Sequence, residues 1–529
     1  MSVETVDAVV IGAGHNGLVA ANLLADEGWR VLVLEATGAP GGAVRSAEME
    51  TPGFSTDLCS AFFPLGAVSP VLLGLGLEEY GLTWTHAPDV LAHLLPDDRA
   101  AVLSRDLART QASVSSFAPE DGEAWGKLAA QWDRIRDDLV ETMLSPFPPV
   151  RAGGRLLRSA GTADALRLAR LLMLPARRLG FELFRGEGAR LLLAGNAMHA
   201  DVGVDSAGSG VFGWLLAMLA QDVGFPVPVG GAGRITDALV RRLTARGGQV
   251  LCGRRVTDVL VAQGRALGVR DHEGELVRAT RAVLADVPAP TLYLDLVGAD
   301  HLPGRLLDDL EVFEWDSSTV KVDWALSGPI PWTSEQARGA GTLHLGGDLD
   351  GLSRFATDLV TGRTPRQPFL LLGQMTTTDP TRSPAGTEQA WAYTHVPRGD
   401  CQTPRELDAH VHRIEQLIEQ HAPGFTGLVR ERSVHGPAAL ERHNPSLVGG
   451  AINGGTTAIH QELIFRPTPG LSRADTPIDR LFLAGASAHP GGAVHGGPGS
   501  NAARAALARS GVAGSAYAAA IRTAHRLVY

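Results

Sequence analysis

Residues 6–35 constrain this chain more than any other stretch. Asp7-Ala8-Val9-Val10-Ile11 reads as a buried β-strand, and Gly12-Ala13-Gly14-His15-Asn16-Gly17 follows at once. Leu18 to Glu27 carries apolar residues at helical spacing, and Gly28 suits the position just past a helix end. Arg30-Val31-Leu32-Val33-Leu34 is a second buried strand that stops at Glu35. Strand, G-x-G-x-x-G, helix, strand and terminal acid in register make a βαβ unit with a dinucleotide fingerprint. Gly12 permits the tight turn, Gly14 lets a pyrophosphate approach the backbone, and Gly17 lets the helix pack closely on the strand. The helix N-terminus offers free N–H groups and the positive end of its dipole to the phosphates. Glu35 lies eighteen residues after Gly17, where it can accept hydrogen bonds from a ribose and disfavour a 2′-phosphate.

The rest of the composition narrows the class. A length of 529 residues suggests about three domains. A net charge of −10 argues against nucleic acid as a partner. Cys59, Cys252 and Cys401 are far apart, which excludes a C-x-x-C dithiol and gives no metal pattern. They fit a reducing cytosol as small buried hydrophobes, with Cys59 a candidate for a role near the cofactor. The first residues carry no basic region and enter a strand at once, which predicts no signal peptide. No apolar run is long enough to predict a transmembrane helix. Lysine occurs only at Lys127 and Lys321.

After Glu35, Pro40-Gly41-Gly42-Ala43-Val44-Arg45 offers a second close backbone approach and an arginine that can pair with phosphate. Residues 76–105 read as strands of a second domain, and 106–225 as helical, with Trp125, Leu128, Trp132 and Ile135 on one face. The stretch 151–190 holds nine arginines against three acids, interleaved with leucines, and has two readings: a solvated helix face or contact with an anionic membrane surface. Residues 228–286 return to α/β texture without a second fingerprint, which predicts no separate nicotinamide site. Strands dominate 312–474, among them Ser318 to Leu326 with Lys321, where a surface or rim position is the simpler reading. Thr403, Pro404 and Glu406 form a capping-box entry to a helix ending near His421. Leu481 to Gly485 is a strand running into a glycine-rich loop with His489 and His495, and a helix is predicted from Ser500 or Asn501. For both histidines, hydrogen bonding within the loop is commoner than catalysis.

The pairing of Val10 to Leu18 with Ala484 to Ala502 resembles the phytoene desaturase-like flavoproteins, which include carotenoid desaturases and isomerases of the wider amine-oxidase superfamily. Gly41 to Arg45, Gly230-Gly231, Asn453-Gly454-Gly455, Gln461 and Arg466-Pro467 extend the likeness. It implies an α/β protein with an interrupted Rossmann-like FAD-binding domain, a sheet-rich substrate domain and a helical insertion. The expected division is 1–75, 228–300 and 475–511 for FAD, 76–105 and 301–474 for the substrate sheet, 106–227 for the helices, and 512–529 as a tail.

The resemblance also implies roles. Gly12, Gly14, His15, Asn16, Gly17, Glu35 and Ala36 would hold the ADP half, and Gly41, Gly42 and Arg45 the pyrophosphate and ribityl region. Val256 would meet the adenine, and Gly485, Gly491, Gly492 and Gly496 the flavin. Lys321 and His489 are the catalytic candidates, Lys321 by similarity to the lysine that amine-oxidase relatives hold near the flavin. The stretch Ala486-Ser487-Ala488-His489 lacks the acid many amine oxidases carry there. The expected activity is FAD-dependent dehydrogenation of a hydrophobic small molecule such as an isoprenoid, with oxygen or a quinone as electron acceptor. A redox-neutral polyene isomerase or cyclase, or a non-catalytic FAD-stabilised binding protein, are the alternatives. The expected location is cytoplasmic, with possible peripheral membrane contact.

Overall fold

The computed structural model describes residues 4–529. Two seven-stranded sheets organise it. In the first, Glu4–Ile11 lies between Val31–Leu34 and Leu276–Ala285, parallel to both, and Gln249–Leu251 continues beyond Val31–Leu34. Leu481–Leu483 pairs with the end of Leu276–Ala285, so strands far apart in sequence finish side by side. Residues 8–11, 31–34 and 282–285 of these strands are apolar on both faces because each face is covered there. The helices His15–Asp26, Gly233–Ala245 and Gly497–Ser510 cover one of them, with Leu18, Leu239 and Ala503 in a single cluster. The last of these helices begins at Gly497, three residues before the expected start, because Pro498 fits its first turn. Residues 514–528, read as part of a tail, form a helix whose Tyr517 hydroxyl donates to Asp475 at 2.8 Å.

The second sheet runs in the order Val429–His435, Ser318–Leu326, Glu388–Val396, Leu370–Gln374, Ala340–Leu345, Asp89–Leu94 and Ala100–Leu103. One face, with Val322, Leu343, Leu372 and Ala392, packs on the helix Pro404–His421. Thr403 and Glu406 close the capping box that starts this helix. The opposite face turns inward, towards the first domain and towards helices drawn from residues 107–222. Ser318–Leu326 alternates in sequence but is buried at all nine positions. Lys321 therefore lies inside the molecule and not at a rim, since both faces of its strand are covered.

Candidate functional site

A cleft of about 390 Å³ opens at the carboxyl ends of the first sheet's parallel strands. That is where open α/β sheets place ligands. One end is formed by Glu35, Ala36 and Val256, the middle by Gly12, Gly14, His15 and Asn16, and the far end by Gly454, Ala486 and Gly492. Its span joins the fingerprint to the C-terminal loop, and its volume is in the usual range for a cofactor pocket. Gly14 offers no side-chain cap to the helix starting at His15, and Asp286 takes the Gly17 N–H, which leaves the N–H groups of His15 and Asn16 available to an anion. His15 Nε2 and Asn16 Oδ1 are buried without a partner. Glu35 is buried; its Oε1 accepts from the N–H and the hydroxyl of Thr37 and its Oε2 from the N–H of Ala13, at 2.8 Å each, so a spare lone pair remains on Oε2. A helix end with two free N–H groups, orphaned polar atoms and a buried acid along one cleft fit FAD.

The glycines serve packing as well as access. Gly12 takes φ +90, a left-handed conformation only glycine adopts cheaply. Gly14 does not, with φ −67 and ψ 169, but a Cβ there would strike a carboxylate oxygen of Asp286. Asp286 stands just past the strand Leu276–Ala285, lines the cleft, and accepts the Gly17 N–H at 2.8 Å. Burial pushes its carboxyl up to about 7. Sequence reading took it only for a strand end; an acid closing a parallel strand was the available signal.

Arg45 is half-buried and makes no ion pair among the described residues, but it does not line the cleft. Gly42 lines the cleft, whereas Gly41 lies behind it and donates its N–H to Ala13. Of the C-terminal loop, Ala486, Ser487, Gly492, Ala493 and Val494 reach the cleft. Gly485 packs on Val287, Gly491 faces Arg466 and donates its N–H to Ala488, and Gly496 packs against Val19. His489 does not line the cleft; its ring lies against Phe147 and its Nε2 is 3.2 Å from the Ser145 carbonyl. His495 shapes the loop, its Nδ1 accepting the Gly497 N–H at 3.0 Å.

Lys321 is paired with Asp323, which also accepts from Thr56. The Lys321 ammonium lies 6.0 Å from the Trp391 ring centroid. Two further hubs are Asp316, which sequence reading passed over, and Arg466, which it quoted only as part of the family likeness. Asp316 accepts the N–H groups of Ile452, Asn453 and Gly455, and burial raises it to about 6. Arg466, fully buried, donates to the carbonyls of Asn453, Thr456 and Ala486. Together they hold the 452–456 loop and the 486 turn at the far end of the cleft.

Asp286 makes the cleft sensitive to pH. Its folded value lies above the ordinary carboxylate range near 4, so the folded state retains the proton that the unfolded state gives up. Stability of the cofactor-free protein should fall as pH rises from about 4 to about 7 and then stop responding to this group. FAD affinity should weaken above about pH 7, by at most about tenfold per unit, as the ionised carboxylate repels the pyrophosphate. Asp286→Asn should flatten both profiles. Unchanged FAD titrations between pH 6 and 9 in parent and variant alike would remove Asp286 from the phosphate's surroundings.

Comparison with known proteins agrees with this cleft. Residues 7–232 match the FAD dependent oxidoreductase family. The chain is 28% identical to the mouse pyridine nucleotide-disulfide oxidoreductase domain-containing protein 2, over 94% of this chain and 92% of that one. It is 24% identical to one of the subunits of limonene dehydrogenase from Castellaniella defragrans, over 95% and 94%. It is also 24% identical to a neurosporene-forming phytoene desaturase of Rhodobacter capsulatus, over 92% and 91%. Among solved structures, putrescine oxidase bound to putrescine shares the fold with a TM-score of 0.58 at 16% identity, covering 96% of this chain and 99% of that one.

Proposed function

From a chain whose residues 7–232 match the FAD dependent oxidoreductase family, and which is 24% identical over 92% of its length to a phytoene desaturase, we propose a dehydrogenase acting on a hydrophobic small molecule. The observation that carries the reading is the inner face of the second sheet. Beside the cleft it offers Trp391 and Tyr393 as walls, with Phe62 packed against Trp391 from outside the sheet, and its one lysine is tied up by Asp323. Bound FAD supplies a hydride acceptor at N5. The chain's own part is to orient an apolar molecule against that acceptor and to exclude water. Asp316 and Arg466 fix the backbone at that end of the cleft, which keeps the geometry rigid. Anaerobic mixing with an isoprenoid donor should bleach the visible flavin band and yield a product two hydrogens lighter. A product of unchanged mass with the band intact would favour isomerisation instead, the activity named for a prolycopene isomerase 26% identical over 51% of this chain.

We further propose that the substrate is drawn from a lipid surface. Leu157, Leu166 and Met173 are 60%, 72% and 57% exposed, and Leu463, Ile464 and Phe465 add to the apolar surface. The two segments adjoin, because the Leu172 carbonyl and Ile459 both lie near Gly208. Several arginines of 151–190 are already paired: Arg170 and Arg178 with Glu182, Arg167 with Asp164, and Arg177 with Asp205 and Asp350. Contact through leucines and not arginines is therefore expected. Changing Leu157, Leu166 and Met173 together to Ser should abolish co-sedimentation with vesicles, while high salt should release little of the parent. Release by salt alone would restore the electrostatic reading.

A further inference from the structure

We propose that the substrate chamber is built for a neutral, mostly apolar molecule carrying a hydroxyl or carbonyl oxygen, which Tyr393, His199 and His395 receive. The inference rests on the dehydrogenase reading and narrows its substrate class.

The chamber follows from strand register. Across the second sheet, His93 stands opposite His344, His344 opposite Leu371, Leu371 opposite Tyr393, and Tyr393 opposite Lys321. Cross-strand partners share a face, so this row points to the inward side. His395, two residues beyond Tyr393, points the same way. His199 meets the row from the helical side, its Nε2 2.9 Å from that of His344.

The side chains here enclose a space. Tyr393, His199 and Cys59 each keep accessible surface, although none is near the outside. Burial pushes the Cys59 thiol up to about 11, His199 down to about 3 and the Tyr393 phenol upward. Accessible surface at such depth means an internal hollow. Its aromatic walls are continuous: Phe62 lies 6.4 Å from Phe225 and 5.9 Å from Trp391, Trp391 stacks on Tyr393 at 5.9 Å, and His199 is 6.0 Å from Phe225. Ser60, next to Cys59, lines the FAD cleft, so the two spaces adjoin.

Polar capacity inside the hollow is unused and uncharged. The Tyr393 hydroxyl has no hydrogen-bond partner among the described residues, and His395 Nε2 is buried without one. Leaving such groups unpaired costs free energy that a ligand oxygen would recover. Burial holds the imidazoles of His199, His344 and His395 in their neutral form. Lys321 is bound by Asp323, while Asp201 and Asp316 are bound by N–H groups of the 452–457 loop. Among the described residues, this leaves the hollow no free cation for a substrate carboxylate and no free carboxylate for an ammonium. Among the same residues no three side chains are set to hold a metal ion, so the histidines are not a metal site.

The test is equilibrium binding to the holoprotein, followed by Trp fluorescence and the visible flavin spectrum. The probes are geraniol, its hydrocarbon counterpart 2,6-dimethylocta-2,6-diene, and geranylamine. Geraniol should bind about tenfold or more tighter than the hydrocarbon, and geranylamine no tighter than the hydrocarbon. Tyr393→Phe should remove most of the alcohol's advantage while leaving hydrocarbon binding unchanged; if that variant loses FAD, His395→Asn carries the same comparison. Equal affinity for alcohol and hydrocarbon in the parent, or an undiminished preference in the variant, overturns the inference. Equal binding together with flavin reduction would leave the dehydrogenase reading standing. Tight alcohol binding with no donor able to reduce the flavin would defeat that reading instead.

Discussion

Gly14→Val is expected to yield a folded but colourless protein. The Gly14 backbone is one that any residue can adopt, so the effect does not come from φ. It comes from the Cβ, which would meet the Asp286 carboxylate, and from the valine methyls, which would enter the cleft that Gly14 lines. Displacing Asp286 also breaks its hydrogen bond from the Gly17 N–H. Overpacking and a lost buried hydrogen bond together imply a loss of FAD affinity of roughly 10²-fold or more. Flavin released on denaturation, measured against protein, gives the readout, with far-UV circular dichroism showing that the fold survives. The double variant Gly14→Val/Asp286→Ala separates the two causes. Recovery of yellow protein would assign the damage to the carboxylate collision; no recovery would assign it to space the pyrophosphate needs. A single variant that keeps its FAD would show that the fingerprint does not hold the cofactor.

The parts of this protein that were legible in its sequence are those where local chemistry dictates local structure. Residues 4–35 form the βαβ unit because apolar runs, glycines and a terminal acid each allow one conformation. The capping box at Thr403 and the stop at His421 appear as read. The site was less legible, for two physical reasons. Period-2 alternation on Ser318–Leu326 reads as one face in and one face out, but both faces of that strand are buried, the polar one included. Lys321, Tyr393 and His344 therefore share an interior row that only register across four strands brings together. Glycines, conversely, carry no sign of which neighbour needs their missing Cβ. Gly485, Gly491 and Gly496 sit in a loop bordering the cleft, yet each serves packing against Val287, Arg466 or Val19. Buried acids that anchor loops through N–H groups, such as Asp316 and Asp286, bind partners hundreds of residues away or on another element.

Lys321→Met should be the most damaging single change away from the cofactor loop. Lys321 and Asp323 are both almost fully enclosed, and Asp323 Oδ2 has only His435 Nε2 nearby, at 3.6 Å. Burial lowers the His435 imidazole and Asp323 raises it, and losing Lys321 removes a charge that lowers it further, so protonation of His435 would offset part of the loss at acid pH. Removing the lysine leaves a carboxylate inside the protein with Thr56 as its hydrogen-bond donor. Breaking one partner of a buried pair costs about 3–5 kcal/mol, because the remaining charge stays unpaired in a medium of low polarity. A drop of several degrees in the thermal midpoint is expected, together with slower flavin reduction. Slow reduction alone would therefore say nothing about catalysis. Lys321→Met/Asp323→Leu removes both charges at similar bulk and should recover most of the stability. If the double variant also recovers flavin reduction, Lys321 is structural and the catalytic assignment fails. If it regains stability and FAD but still reduces slowly, the ammonium acts on the reaction. A Lys321→Met protein as stable as the parent would contradict the buried pair itself.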